Sequence, residues 1–323
     1  MKKETLAVHS KITNPAIRKK TNFKQNDFIC SLPLTFLALP GIIYIFIFNY
    51  IPLYGLVLPF KDFKFSKGFF GSEWIGLDNF KFLFMGDGVW VATRNTVLYN
   101  AVFIILGTAV AISIALMLFE MLDKYVKIYQ TFIFLPYFIS WVVVAYICRA
   151  FLDMDYGMFN GVLKFLGKVA VMWYNEAKYW SVIIVFSNIW KGMGYGALIY
   201  YATLMGVNKE LFEAAKIDGA NKWQQILYIS VPALVPMITI MFILNVGKIM
   251  YSDFGLFYNL TLNSAILYST TDVIDTFVYR SLIDIGDIGM SSASGFYQAV
   301  LGFILVIISN FIIKKLDEDN ALF

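Results

Sequence analysis

The thirty-three residues from Phe28 to Phe60 carry no charge. A helix of ~20 apolar residues is enough to cross the hydrocarbon core of a bilayer. The pattern then recurs. Val97–Phe119 and Ile128–Cys148 are charge-free, and 179–205 is apolar except for Lys191. The run 228–250 carries only Lys248, and Ala293–Ile313 is charge-free. Charged residues make up 15% of the chain against roughly 25% in a soluble domain, too few to cover a water-soluble core of this size. The expectation is an all-α polytopic membrane protein with six transmembrane helices and both termini on one side. Pro33, Pro40, Pro52 and Pro59 predict that the first helix starts late, kinks or ends near Tyr50. The run is too long for a cleaved leader, and no small-x-small site follows it.

The reactive inventory is thin. One histidine, His9, in a basic tail speaks against a His-based metal site or a catalytic dyad, so no catalytic or metal residue is assigned. Cys30 and Cys148 lie in apolar runs and read as small buried hydrophobes. Seven basic residues precede position 28. They flank a span, so they orient the chain rather than recruit nucleic acid, and they favour a cytoplasmic N terminus. This gives a cytoplasmic tail at 1–27, a six-span domain at 28–316 and a cytoplasmic tail at 317–323.

Three long outer loops follow from that orientation. Phe159–Leu166 has the pattern of a short amphipathic interfacial helix. Thr270–Ile283 has helix-like spacing of Val273, Ile274, Phe277, Val278 and Leu282, which predicts one surface helix. In the same loop Asp253, Asp272, Asp275, Asp284 and Asp287 outnumber Arg280, which predicts an acidic, solvated face.

The inner segment 207–228 reads as an elbow. Lys209–Ile217 is a short helix with alanines at its centre, Asp218-Gly219 is a turn, and Lys222–Ile229 starts a second helix. On chemistry alone this could be an ordinary interfacial hairpin. The spacing adds to it: Glu213-Ala214-Ala215, three residues, Gly219, nine residues, Ile229, one residue, Val231-Pro232. This resembles the EAA signature of bacterial ABC importer membrane subunits, with Val231 in place of the usual leucine. Leu135–Val144, Ser187–Lys191, Ile274–Arg280 and the tail from Asp317 are similar to the carbohydrate-uptake branch, in particular LplB-type permeases, which accompany lipoprotein sugar-binding proteins. The resemblance covers roughly residues 28–323.

The resemblance implies a MetI-like fold and a subunit that imports an oligosaccharide or related glycan through the bacterial cell membrane. It implies that Glu213, Ala214, Ala215, Asp218 and Gly219 form a cytoplasmic coupling helix joined to separate ATPase subunits. ATP and Mg would then sit on two partner ATPases, with no cofactor on this chain, which lacks a phosphate-binding P-loop. The other partners implied are a second, different permease subunit, an extracellular solute-binding lipoprotein and the bilayer. Polar residues inside the spans are costly against lipid and should face the solute pathway. The candidates are Asn188, Lys191, Tyr195, Asn245 and Lys248, with Trp141 as an aromatic surface for a sugar and Asn100 and Asn310 as weaker options. Lys191 could equally bond backbone carbonyls, and Lys248 could snorkel to the interface. The alternatives are the same architecture for a non-sugar solute, or a stand-alone secondary transporter; the latter lacks the intramembrane carboxylates that ion coupling needs.

Overall fold

The computed structural model describes residues 26–316. The expected tails and His9 lie outside the described residues, apart from Asn26 and Asp27, which open the first helix; the side chain of Cys30 also lies outside them. The chain divides into two units, residues 1–55 and 56–323.

In the first unit α1 (Asn26–Ile45) runs on through a π-turn, Phe46–Tyr50, into a 3-10 segment, Ile51–Phe60, whose last residues from Leu56 belong to the second unit. The α-helix ends at Ile45 and the π-turn at Tyr50, close to the end expected near Tyr50, and the backbone goes on as a helix by changing its hydrogen-bond register. Pro52 has no N–H for the carbonyl four residues back, and the Ile51 N–H reaches the Phe46 carbonyl five back.

The second unit begins with a two-strand ladder, β1 (Lys61–Asp62) against antiparallel β2 (Glu73–Trp74), with α2 (Gly68–Gly71) between them and α3 (Asp78–Phe84) after. The long helices are α4 (Gly88–Phe119), α8 (Ala177–Met205), α11 (Val231–Val246) and α15 (Ile288–Leu316). Among the described residues five helical stretches are long and apolar enough to cross a bilayer: Thr35–Phe60, Gly88–Phe119, Ala177–Met205, Lys222–Val246 and Ile288–Phe311.

The expected third span is not one helix. It is α5 (Asp123–Phe138) and α6 (Trp141–Leu152), bent by 95°. Ile139 and Ser140 are extended, with ψ of 130° and 150°, and the Ser140 hydroxyl accepts from the Val143 N–H to start α6 afresh. Counted as one broken span, the pair brings the total to six. Cys148 on α6 is half-buried and packs against a core cluster, as a small hydrophobe would.

The amphipathic helix expected at 159–166 is α7 (Met158–Phe165). It is tied down by Asn160, whose buried carboxamide donates to the carbonyls of Asp153, Met154 and Val171 and accepts from the Val171 N–H and Trp173 Nε1.

The expectations for 251–292 need two corrections. The single surface helix is two pieces, α13 (Tyr268–Thr271) and α14 (Ile274–Ile283), and it is internal: Val273, Ile274, Thr276 and Ser281 are buried. Preceded by α12 (Phe254–Leu260), this segment is stapled to the start of α4. Asn95 Nδ2 donates to the Asp272 carbonyl, the Ile274 N–H to Thr96 Oγ1, and the Tyr99 hydroxyl to the Thr270 carbonyl. The acidic face forms only in part: Asp253, Asp284 and Asp287 are exposed, but Asp272 and Asp275 are not. Asp272 is buried in a bidentate pair with Arg280 (2.9 and 2.6 Å), and Asp275 is half-buried, accepting from the Ser252 N–H and Gln298 Nε2. Asp272 is matched by Arg280 of the adjoining α14 and Asp275 by donors from outside its helix, which offsets the penalty of burying each carboxylate.

Packing centres on α8, which lies against both α4 and α5. Small residues bring the backbones close: a Cβ on Gly196 would lie 2.9 Å from Ala111 Cβ, and one on Gly194 would lie 2.3 Å from the Ile133 carbonyl oxygen.

Candidate functional site

Two regions of the second unit carry functional features. The first is the elbow, α9 (Lys209–Ile217) and α10 (Lys222–Gln225), within the expected 207–228. The Asn208 side chain caps α9 by accepting from the Glu210 N–H. The helix then stops as a Schellman turn. Gly219 has φ +82°, the Ala220 N–H bonds the Ala215 carbonyl at 2.8 Å, and the Gly219 N–H bonds the Lys216 carbonyl at 3.1 Å. Asn221 and Gln224 form a capping box that starts α10. The second helix of the elbow opens into a π-turn, Ile226–Ser230, ahead of Pro232, the device also seen ahead of Pro52.

The elbow is seated on the end of α4. Phe212 is buried and packs on Phe119 at 5.5 Å, and Lys222 pairs with Glu120. Gln225, also buried, donates to the Ala220 carbonyl. Glu213, Ala214, Asp218 and Gly219 are exposed and Ala215 is half-buried. Beside them Ile217 is 87% exposed and Trp223 74%. The elbow therefore presents a rigid, capped surface with apolar groups on it, an arrangement that suits a protein partner.

The second region is a cavity of about 340 Å³ between α4, α8 and the end of α11. Asn188, Tyr195, Asn245 and Lys248, all sequence candidates, line it together. Asn100 lines it too, but its Nδ2 is committed to the Ile249 carbonyl at 2.9 Å. The side chains of Asn188, Asn245 and Lys248 have no hydrogen-bond or ionic partner among the described residues. Lys248 lies in the turn after α11, which ends at Val246, and its exposed side chain lines the cavity. From Asn100 to Ala111 the cavity follows α4 for roughly 16 Å. Towards the elbow it closes on an apolar cluster of Ala111, Ala115, Tyr200, Leu204 and Leu234.

Three candidates fall outside the lining. Lys191 donates to the Tyr137 carbonyl at 2.7 Å, with its ammonium 5.5 Å from the Tyr137 ring and 5.4 Å from the Trp141 ring. It therefore serves the break between α5 and α6, the backbone role weighed for it above. Trp141 Nε1 donates to Asp253 at 2.5 Å, which ties α6 to the cap of α12. Tyr195 touches both settings, since it lines the cavity and its ring stacks on Tyr137 at 5.2 Å and 12°. Asn310 is buried in α15, away from the lining. Sequence reasoning missed Thr108, Tyr200 and Tyr251 on the wall. Hydroxyls in apolar runs are common, and no spacing rule sets these apart.

The family model for the binding-protein-dependent transport system inner membrane component matches residues 107–318, which include the elbow and most of the cavity wall. Among curated relatives, Protein LplB of Bacillus subtilis (strain 168) is 33% identical over 288 residues, 89% of this chain and 90% of that protein. The polygalacturonan/rhamnogalacturonan transport system permease protein YteP of the same organism is also 33% identical over 288 residues, 89% of each chain. Among solved structures, a chain of a bacterial ABC transporter involved in the import of the acidic polysaccharide alginate superposes with a TM-score of 0.82 at 32% identity, covering 90% of this chain and 98% of its own. A second structure, the bacterial alginate ABC transporter in complex with alginate pentasaccharide-bound periplasmic protein, gives 0.81 at 31% identity, with 90% and 97% covered.

Proposed function

The chain belongs to the family of inner membrane components of binding-protein-dependent transport systems, and we propose that it is the permease subunit through which an ABC importer takes up an oligosaccharide or related glycan. It is a multi-pass membrane protein of a transport family rather than an enzyme. One observation carries the reading. A cavity with three unpartnered polar side chains is sealed by an apolar cluster from an elbow bearing Glu213-Ala214-Ala215 and Gly219. Amide and ammonium donors together with tyrosine faces suit a hydroxyl-rich solute. The names of relatives that transport polygalacturonan or alginate support the glycan class.

In this reading the elbow faces the cytoplasm with both termini, and it docks on one of two ATPase subunits. Glu213, Ala214, Ala215, Asp218 and Gly219 shape that joint. ATP and Mg are held by the ATPases. A second, different permease supplies the other half of the pathway, and an external lipoprotein delivers the glycan. ATP-driven closure of the ATPases draws the elbows together and rocks the membrane halves between two packings. The apolar cluster below the cavity is the seal that this movement opens or closes.

The test is reconstitution in proteoliposomes. The chain alone is expected to hydrolyse no ATP. With two ATPases, its partner permease and glycan-loaded binding protein, hydrolysis and glycan uptake are expected together. Uptake that persists without the ATPases would overturn the proposal.

A further inference from the structure

We infer that the cavity is built for an acidic glycan, an oligouronide, and that Lys248 is the residue that receives its carboxylate. This rests on the glycan-importer reading above. Lys248 is the one charged residue among those lining the cavity. The carboxylates on the neighbouring segments are already engaged: Asp253 accepts from Trp141 Nε1 and the Leu256 N–H, and Asp275 accepts from the Ser252 N–H and Gln298 Nε2. Neither forms an ion pair with Lys248, and no other described acid does. Lys248 is exposed at the cavity wall, so its ammonium stands free to receive a group of opposite charge. No group of the described chain supplies that charge, so a solute anion is the natural counterpart.

The donor balance points the same way. An ammonium can only donate, whereas a carboxamide offers both donors and an acceptor. A neutral sugar presents hydroxyls that donate and accept, which Asn188 and Asn245 suit by themselves. A carboxylate only accepts, and it is the group that gains most from a charged donor. A single ammonium on a flexible stem matches one negative charge per sugar unit, and it can follow that charge as successive units pass.

The experiment compares trigalacturonate with its fully methyl-esterified form, which has the same backbone and no charge, in the complete importer with saturating binding protein. Both versions of the permease see the same binding protein, so a change in the ratio of the two rates reports the cavity. The unmodified chain is expected to carry the acid at least about tenfold faster than the ester, the scale of one charge-assisted hydrogen bond. Lys248→Gln should bring the two rates within about twofold of each other, and Lys248→Arg should keep the preference. Equal rates in the unmodified chain, or an unchanged preference in Lys248→Gln, overturn the assignment while leaving the glycan importer intact. If the unmodified chain moves neither glycan, the glycan reading fails with it.

Discussion

The Lys191 ammonium donates to the carbonyl of Tyr137 at 2.7 Å, across from the place where α5 stops and the chain turns by 95° into α6. Breaking a helix inside a membrane frees carbonyls that lipid cannot satisfy. A cation at a helix C terminus also meets the negative end of the helix dipole. Lys191→Met should therefore lower stability by about 1.5–3 kcal/mol, the scale of a hydrogen bond made by a charged group. Because Lys191 is not on the cavity wall, apparent affinity for solute should hold. Thermal unfolding in detergent and solute titration of the assembled importer check the two halves. A normal unfolding midpoint with weakened solute binding would return Lys191 to the pathway.

Gly194 makes the neighbouring contact possible. A Cβ there would sit 2.3 Å from the Ile133 carbonyl oxygen and 2.7 Å from Phe134 Cα, both backbone atoms that cannot rotate away. Gly194→Ala must push α5 off α8, with an overpacking cost of about 1–3 kcal/mol. Gly192, two residues earlier on the same helix, has open space where its Cβ would go. Gly192→Ala should be neutral or slightly stabilising, since alanine is the better helix former. Paired unfolding curves separate the two; equal effects would mean that the α5–α8 contact is looser than the geometry implies.

The legible parts of this chain were local ones. A charge-free run of about twenty residues reports its solvent directly, and the elbow is written in its own caps, alanines and glycine. The break at Ile139 was hidden because Leu135–Val144 stays apolar on both sides of the turn, and hydropathy says nothing of direction. The burial of Asp272 and Asp275 was hidden for a different reason. A charged residue between spans reads as solvated until its partners are known. The partner of the Asp272 carboxylate, Arg280, lies 8 residues on in sequence, and Gln298 lies 23 from Asp275. The same distance effect split the cavity candidates. Asn188, Lys191 and Tyr195 share one face of α8, yet the broken span claims Lys191 and leaves the other two to the cavity.

Asp275 gives the fold a pH signature. Burial raises its carboxyl above the ordinary 3.8, against the opposing pull of the Ser252 N–H and Gln298. The folded chain thus holds this proton to higher pH than the unfolded chain does. Between 3.8 and the raised value unfolding releases a proton, so this group's contribution to stability falls as pH rises through that window. Above it the contribution stays at its lower level. The helix-capping Asp153, whose carboxyl is held below its usual range by the N–H groups of Tyr156 and Asp155, acts with the opposite sign at lower pH. Asp275→Asn should remove the falling component, whatever it does to absolute stability. The measurement is the slope of unfolding free energy against pH for both proteins. Identical slopes from pH 4 upward would show that Asp275 is not held protonated.

Gly219 tests the elbow without touching the membrane-spanning core. Its φ of +82° is open to glycine, tolerated by asparagine, strained for alanine by about 1–2 kcal/mol, and closed to proline, whose ring fixes φ near −65°. Proline also removes the N–H that bonds the Lys216 carbonyl and disfavours the φ of −73° and ψ of 1° that Asp218 adopts before it. Nothing lies within 4 Å of where a Cβ would stand, so the effect is conformational rather than steric. Binding-protein-stimulated ATP hydrolysis by the assembled importer should fall in the order Gly219, Gly219→Asn, Gly219→Ala, Gly219→Pro, with the last uncoupled. Insertion and the unfolding midpoint of the spans should change little across the series, because residue 219 is exposed at the tip of the elbow. Full transport by Gly219→Pro would detach the elbow from coupling.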